Sequence, residues 1–386
     1  MQLNPLIEEF GVYPFAKLTA ARRRAEAGGQ VLIDFGVGEP REPVPAFLRE
    51  ALRAAVVAET QSPYPLADGL PELRAVIAGW LARRFGVTLD PGIEILPTAG
   101  SKEPIFHLAQ ALIGKQSERD LVAVTTPGYP VPGRGAAFAG AGVLEIPLDP
   151  AAGWLPALDV LDDDAWRRLA LIWINSPNNP TGAIVPLAFY EELAERCRRH
   201  GVVLASDEAY SEIYLGDAAP PSVLQVGDPT HVLAVHSLSK RSSVPGYRSG
   251  FVAGDPLLIA ALKQVRPSMG VTPQAFVQRA SIAAWDDETH VHEARERYRQ
   301  KRAALLPALA AAGLSVAGGD GGFFLWCSVP GSEDAEAYAE RLLQHGLVVA
   351  PGTFFGAHGA GHVRIALVPT LEDCVAAGER FIASAR

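Results

Sequence analysis

Short apolar runs alternate with longer amphipathic segments over about the first 275 residues of the chain. The short runs are bounded by Gly, Pro and polar residues and predict buried strands, whereas the segments between them carry helical periodicity. This alternation predicts a three-layer α/β fold with a mainly parallel sheet and helices on both faces. The predicted strands cover residues 94–98, 121–126, 143–148, 169–174, 202–206, 231–237 and 249–255, and helical patterns include 103–113 and 186–200.

One connection breaks this alternation. About eleven residues, rich in Gly and Pro, separate the strand at 231–237 from the strand at 249–255. A crossover between parallel strands needs a dozen residues or more. We therefore predict that these two strands are antiparallel neighbours, so that the sheet contains one antiparallel strand, and that Lys240 lies in the loop joining them.

The pattern changes after about residue 275, where a long charged helix over 290–313 begins a smaller α/β unit. Apolar runs at 321–329, 347–352 and 362–368 follow, with a further helix near 333–345. The N-terminal stretch has no partner strands of its own, so we expect it to pack on this smaller unit. The predicted domains are a large domain over residues 41–275 and a small domain formed by residues 1–40 and 276–386.

Composition excludes several classes of protein. With 48% hydrophobic and 20% charged residues, the 386-residue chain has an ordinary globular profile. A net charge of −9 gives no electrostatic footprint for nucleic acid. Three distant cysteines without CxxC spacing argue against zinc or a disulfide framework. With no secretion signal and no apolar stretch of membrane length, we expect a cytoplasmic protein that binds neither membrane nor metal.

Candidate functional residues follow the carboxyl ends of the predicted strands, where ligands bind in open α/β sheets. Gly100 and Ser101 lie between a strand and a helix, and free N–H groups there can bind a phosphate. Ser101 could equally be an ordinary helix cap, with Glu103 in the first turn. The loops that carry the candidates cover residues 98–104, 127–132, 175–182, 206–213 and 237–248.

Three other loops allow a structural and a functional interpretation. Asp207 could only cap a strand-end turn, or it could stay ionised to hold a protonated ring nitrogen, with Tyr210 donating to a nearby oxygen. Asn179 could shape its loop or direct its amide into a cleft. Tyr129 could pack on the surface or provide a flat surface for a ring.

Lys240 and Arg248 share a polar loop interrupted by Gly and Pro. A lysine attacks a carbonyl only as the neutral amine, and its unperturbed pKa is about 10.4. Burial beside other cations lowers that pKa and allows an imine to form. A solvated lysine and a surface arginine are the ordinary alternatives.

The ordered motifs "NSPNNPTG", "SDEAY" and "SLSKRSSVPGYRSG" resemble those of the class I/II aminotransferases, which are pyridoxal 5′-phosphate (PLP) enzymes of fold-type I. The resemblance extends from residues 34–40 to 363–368. One departure is Ser249, where the family more often has an aliphatic residue.

This resemblance implies a set of roles around the cofactor. Lys240 would bond covalently to PLP and Asp207 would pair with its pyridinium nitrogen. Tyr210 and Asn179 would hydrogen-bond its phenolic oxygen, and Tyr129 would stack on its ring. The residues implied at the phosphate are Gly100, Ser101, Lys102, Ser237, Ser239 and Arg248.

The resemblance also implies the reaction and a second subunit. Arg364 would hold the substrate α-carboxylate, helped by Asn179 and the backbone of Gly38, while Lys240 moves the proton from Cα to C4′. The enzyme would exchange an amino group between an amino acid and a 2-oxo acid in a ping-pong cycle. Tyr64 matches a tyrosine that reaches the phosphate of the neighbouring subunit, which implies a homodimer with the active site at the interface.

Within the family, "NPLIEEFGVYPFAKL" and the segment 240–255 look most like N-succinyldiaminopimelate aminotransferases of lysine biosynthesis, which use glutamate and 2-oxoglutarate. Lys102, Arg41 and Arg266 are open candidates for contact with the distal group of the substrate. An aspartate, aromatic or broad-specificity aminotransferase is the alternative. A PLP-dependent β-lyase and the PLP-binding domain of a transcription regulator are less favoured.

Overall fold

The structure is a computed structural model that describes residues 3–11, 14–115 and 117–385. The N-terminal motif named above includes residues 12 and 13, which lie outside these ranges. The helices are α1 Pro5–Phe10, α2 Pro14–Ala27, α3 Ala46–Ala58, α4 Pro71–Phe85, α5 Lys102–Leu112, α6 Val131–Phe138, α7 Asp163–Arg168, α8 Leu187–His200, α9 Leu238–Arg241, α10 Pro256–Met269, α11 Ala275–Asp286, α12 Thr289–Ala311, α13 Ala335–Gln344 and α14 Leu371–Ser384. The strands are β1 Ile33–Asp34, β2 Ile95–Thr98, β3 Leu121–Thr126, β4 Gly142–Asp149, β5 Leu155–Pro156, β6 Leu169–Asn175, β7 Val203–Asp207, β8 Val232–Ser237, β9 Gly250–Gly254, β10 Ser315–Val316, β11 Phe324–Ser328, β12 Leu347–Val348, β13 Ala350–Pro351 and β14 His362–Ala366.

The central sheet has the strand order β2-β9-β8-β7-β6-β3-β4-β5. Strands β8, β7, β6, β3 and β4 are parallel, and β9 is antiparallel to both of its neighbours. The predicted antiparallel pairing of β8 with β9 and the mainly parallel α/β fold are therefore confirmed. The central sheet also contains a strand that the sequence analysis did not predict. This is the two-residue edge strand β5, which is antiparallel to β4.

Both faces of the central strands are buried, which explains their continuous apolar sequences. In β6, Ile172 and Ile174 belong to one apolar core, whereas Leu171 and Trp173 belong to the core on the opposite face. Helices α4, α8 and α11 cover the first face, and α5, α6 and α10 cover the second. Because parallel strands run the same way, the loops after them meet at one edge of the sheet.

A second, four-stranded antiparallel sheet has the order β10-β11-β14-β13. Strand β1 pairs in parallel with β12, and Phe35 packs in the same apolar core as α12 and α14. The segment around β1 thus packs on the C-terminal unit, whereas Phe10 of α1 packs on Phe138 of α6, beside the central sheet. The domain bounds given above remain a prediction. No helix in the described ranges is long and apolar enough to cross a membrane.

Candidate active site

Lys240 lies in the connection between β8 and β9, as predicted, but within a single helical turn, α9, rather than in a loop. Ser237 forms the N-terminal cap of this turn, because its Oγ accepts a hydrogen bond from the Ser239 N–H at 3.1 Å. Serine at this position satisfies a backbone donor that the first turn leaves without a partner. The cap fixes the direction of the Lys240 side chain relative to the sheet edge.

The side chain of Lys240 enters a cavity of about 450 Å³ at the carboxyl edge of the central sheet. Gly100 does not line this cavity, although the sequence analysis placed it at the phosphate. Tyr64, which was assigned to the phosphate of the neighbouring subunit, does not line it either. The predicted residues that line it are Gly38, Ser101, Lys102, Tyr129, Asn179, Asp207, Tyr210, Ser237, Ser239, Lys240, Arg248 and Arg364. The lining residues that the sequence analysis missed are Phe15, Val37, Glu39, Asn175, Ala209 and Pro245.

The Lys240 amine donates a hydrogen bond to the carbonyl oxygen of Gly38, with Nζ and O 2.6 Å apart. Its Nζ also lies 5.8 Å from the centre of the Tyr210 ring. Burial, together with the positive charges of Arg364 and Arg248, lowers the pKa of Lys240 to about 7. The amine is therefore suited to react as a nucleophile near neutral pH.

Asp207 is the last residue of β7 and lies buried at the floor of the cavity. Burial raises its pKa to about 7, and the hydrogen bond that its Oδ1 accepts from the Ala209 N–H at 3.2 Å opposes the rise. A cation bound beside this carboxylate would favour its ionised form. The position therefore suits a protonated ring nitrogen.

Asn175, at the end of β6, joins the loop that follows this strand to the end of β7. Its Nδ2 donates to the backbone oxygen of Asp207 at 2.9 Å, and its Oδ1 accepts from the Asn179 N–H at 2.7 Å. It is the first residue of the "NSPNNPTG" motif, and its place at the end of a strand was the signal that could have revealed it.

Arg248 lies beside the start of α5. The guanidinium donates from Nη2 to the Ala99 oxygen and from Nη1 to the Pro245 oxygen, both at 3.0 Å. Gly100 has φ of +75°, and a Cβ there would lie 2.5 Å from Arg248 Nη2. Glycine is thus needed both for the backbone conformation and for the close approach of the arginine.

The ordinary capping role considered for Ser101 does not hold, because its side chain makes no capping hydrogen bond to α5. Instead the Glu103 carboxylate accepts from the Ala99 N–H at 2.6 Å. The hydroxyl of Ser101 and the start of α5 face the cavity beside Arg248. Burial and the charge of Arg248 lower the pKa of Lys102, which also lines the cavity.

Arg364, in β14, is buried at the opposite end of the cavity. Its Nη1 donates to Asn179 Oδ1 at 2.8 Å, and its Nη2 donates to the Gly36 oxygen at 2.7 Å. A Cβ on Gly38 would lie 3.3 Å from both terminal nitrogens, so this glycine allows the backbone to pass close to the guanidinium. The rings stacked around the guanidinium belong to Phe15, Phe324 and Phe355.

Two of the three candidates for distal contact have ion-pair partners outside the cavity. Arg41 contacts Asp34, with 2.7 Å between Nη2 and Oδ2, and Arg266 contacts Glu103, with 2.9 Å between Nη2 and Oε1. Neither arginine lines the cavity, whereas Lys102 does.

The departure at Ser249 has a structural explanation. Ser249 is buried, and its Oγ forms a hydrogen bond with the Ser281 Oγ at 2.7 Å. Ser281 in turn donates to the backbone of its own helix. The buried hydroxyl of Ser249 thus has a hydrogen-bond partner, at a position where the family more often has an aliphatic side chain.

A buried lysine of lowered pKa, a carboxylate facing it and an arginine beside a helix start define the class of enzymes that use pyridoxal phosphate. The family model for aminotransferase class I and II matches residues 30–381, so the chain belongs to this family. It is therefore a PLP-dependent enzyme that transfers amino groups between an amino acid and a 2-oxo acid.

Individual relatives agree with this assignment. An LL-diaminopimelate aminotransferase of Nitratidesulfovibrio vulgaris is 39% identical, over 92% of each chain. An aminotransferase structure from Neisseria meningitidis has a TM-score of 0.91 and 35% identity, covering both chains fully. A probable N-succinyldiaminopimelate aminotransferase of Thermus thermophilus has a TM-score of 0.88 and 31% identity, covering 96% of this chain and 99% of that one.

Proposed function

We propose that this aminotransferase acts on a diaminopimelate-type amino acid, with Lys240, Asp207, Arg248 and Arg364 in the roles that the sequence analysis assigned. The observation that carries the residue roles is the cavity that these four side chains line, and the names of two relatives support the substrate class. It combines an amine, a carboxylate and two guanidinium groups, which are the groups needed to hold a dianionic phosphate, a ring nitrogen and a carboxylate.

The residues present fit PLP. Arg248 and the start of α5 provide donors for its phosphate, Asp207 provides an anion for its ring nitrogen, and Tyr129 provides an aromatic face. Tyr210 and Asn179 provide donors for its phenolic oxygen. When bound, PLP supplies an electron sink that stabilises negative charge on the substrate Cα.

The remaining groups orient the substrate and move its proton. Arg364 binds the α-carboxylate through two parallel N–H donors, which orients the Cα–H bond. Lys240 Nζ then accepts the proton from Cα, which requires the neutral amine that its lowered pKa of about 7 provides.

The side-chain end of the substrate distinguishes two candidates. The first is N-succinyldiaminopimelate, which the sequence resemblance favours and which the name of the Thermus relative contains. The second is free LL-diaminopimelate, which the name of the Nitratidesulfovibrio relative contains. Glu39 lines the cavity and favours this second candidate, because its carboxylate can pair with the distal ammonium that succinylation would remove.

The test is a half-reaction screen with the PLP-loaded enzyme. N-succinyl-LL-diaminopimelate, LL-diaminopimelate, aspartate, glutamate and phenylalanine are added separately, and the loss of the visible absorbance of the cofactor is followed. We expect the highest kcat/KM with one of the two diaminopimelates. Faster reaction with aspartate or phenylalanine would contradict the substrate class. Release of pyruvate and ammonia from cystathionine, added separately as an amino acid with a sulfur leaving group on Cβ, would indicate a β-lyase.

We also propose a homodimer in which Tyr64 completes the phosphate site of the partner. Tyr64 is 99% exposed within one chain, which is unusual for a tyrosine. A second cavity, of about 600 Å³, shares Lys102 and Arg248 with the first and has apolar walls that include Phe106 and Val271. An exposed tyrosine from a second copy fits such an opening. The cytoplasmic location remains a prediction.

A further inference from the structure

A third, much smaller cavity lies beside Asp207. Its volume is about 10 Å³, which is the room that about one water molecule needs. Tyr129, Asn175 and Asp207 line both this cavity and the active site, so the two are neighbours. The remaining walls combine Thr125 and Trp173 with three apolar residues, Val124, Pro132 and Ile174.

Trp173, which lines this cavity, carries a buried donor. The residue is 2% exposed, and its indole Nε1 is buried with no hydrogen-bond partner within the described part of the chain. A buried N–H without an acceptor costs free energy, so native structures rarely leave one. Water in an adjoining polar cavity is the usual way to satisfy such a group.

The strand register places Trp173 and Asp207 on the same side of the sheet. Trp173 lies opposite Ala205, and Asn175 lies opposite Asp207 in the parallel pair formed by β6 and β7. Alternate residues of a strand share a face, so the indole and the carboxylate project from the same face of the sheet. One residue pair, Ile174 and Ser206, lies between their positions. Nothing in the described structure joins them directly, since Trp173 Nε1 has no partner.

Asp207 can accept the hydrogen bond that such a water would donate. An ionised carboxylate has about four acceptor sites, and the Ala209 N–H occupies one of them. Burial raises the pKa of Asp207 to about 7, with the nearby charge of Glu208 in the same direction and that of Lys240 opposed. A second donor to the carboxylate would favour its ionised form.

We propose that one water molecule occupies this cavity, accepts a hydrogen bond from Trp173 Nε1 and donates one to the Asp207 carboxylate. Trp173 is then a positioning residue that keeps Asp207 ionised and oriented towards the cofactor ring. This inference rests on the function proposed above for Asp207. It assigns a role in the chemistry to a tryptophan that otherwise looks like part of the apolar core.

The first arm of the test is a high-resolution crystal structure of the wild-type protein. We expect a water molecule within about 2.7–3.2 Å of both Trp173 Nε1 and an Asp207 oxygen. A dry cavity, or a water in contact with only one of the two groups, would overturn the proposal. This arm depends on no variant and on no activity.

The second arm follows the ring nitrogen itself, by ¹⁵N NMR of holoenzyme reconstituted with ¹⁵N-labelled PLP. Trp173→Phe removes the donor and keeps an aromatic ring. We expect its ¹⁵N resonance to move from the pyridinium position of the wild type towards that of neutral pyridine. Trp285→Phe is the matched control, because Trp285 is equally buried with an unpartnered Nε1 but does not line this cavity.

An unchanged ¹⁵N resonance in Trp173→Phe, or an equal change in both variants, would overturn the proposal, because a merely structural tryptophan would behave in that way. Failure of the proposed function is distinguishable from these outcomes. In that case the wild-type protein itself would show no pyridinium resonance on mixing with labelled PLP.

Discussion

The Arg364 guanidinium donates a hydrogen bond to the side-chain oxygen of Asn179 at 2.8 Å, although 185 residues separate them in the chain. Arg364 belongs to the small antiparallel sheet, whereas Asn179 belongs to a loop of the central sheet. The contact joins the two sheets at the point where the substrate carboxylate is proposed to bind. It also presets the direction of both side chains before any ligand enters.

Replacing Arg364 by Lys should therefore weaken substrate binding more than cofactor binding. Lysine keeps the charge but loses the planar pair of donors, and one hydrogen bond to a charged group contributes about 1.5–3 kcal/mol. We expect the amino-acid Kd in the half-reaction to rise by about 10- to 100-fold, with the visible absorbance of bound PLP retained. Arg168→Lys is the control, since this exposed arginine also makes a bidentate pair, with Asp120. Equal Kd values in both variants would contradict the role of Arg364.

Lys240→Ala should abolish turnover and the absorbance of covalently bound PLP. The amine is the nucleophile in the proposal, and no other lysine except Lys102 lines the cavity within the described ranges. Non-covalent binding of PLP should persist, because the phosphate and ring contacts remain. Lys263→Ala serves as the control, since its amine donates to the Gly92 carbonyl oxygen on the surface and does not line the cavity. Normal transamination by Lys240→Ala would refute the assignment.

The lowered pKa of Lys240 predicts a pH dependence of covalent cofactor capture. Its ordinary value is 10.5, and burial lowers it to about 7, so the reactive neutral amine predominates above pH 7 and the protonated form below. With PLP-free protein and saturating PLP, the first-order rate of the absorbance change should fall by about tenfold for each pH unit below 7 and level off above it. An inflection near pH 10, as for an exposed lysine, would contradict the burial argument.

Much of the fold followed from local sequence patterns. The run at 121–126 forms a strand with the predicted bounds, because apolar side chains on both faces of a buried strand leave a continuous signal. The turn at Lys240 was missed because a helix of four residues has no periodicity, and only the capping bond from Ser237 reveals it. Local patterns therefore predicted the strands of the central sheet better than the four-residue helix α9.

The site was predicted less completely, because its contacts join distant parts of the chain. Loops after parallel strands could be expected to meet, which placed Asp207 beside Lys240. The approach of Phe15 to Arg364, 5.4 Å from its guanidinium, depends on how α2 packs. The motif "NPLIEEFGVYPFAKL" contains Phe15 but gives it no role at the site. The close approach of Gly100 to Arg248 likewise appears only once the loops are assembled.

The proposed role of Tyr64 predicts complementation between two defective homodimers. Lys240→Ala lacks the nucleophile, and Tyr64→Ala lacks the proposed phosphate contact to the partner. After mixing and subunit exchange, a heterodimer would hold one site with Lys240 from the Tyr64→Ala chain and Tyr64 from the Lys240→Ala chain. We expect PLP affinity and turnover of the mixture to exceed those of either variant alone. If Tyr64 acts within its own chain, no such site forms and mixing restores nothing.

The approach of Arg248 to Gly100 predicts that a single methyl group disrupts the phosphate site. In Gly100→Ala the new Cβ would lie 2.5 Å from Arg248 Nη2, and φ of +75° is unfavourable for alanine. The guanidinium must move away from the start of α5, so the Kd of PLP for the PLP-free protein should rise by about tenfold or more. Gly114→Ala is the matched control, since nothing lies within 4 Å of a Cβ there and its φ is ordinary. If both variants bound PLP as tightly as the wild type, Arg248 would not be the residue that holds the phosphate.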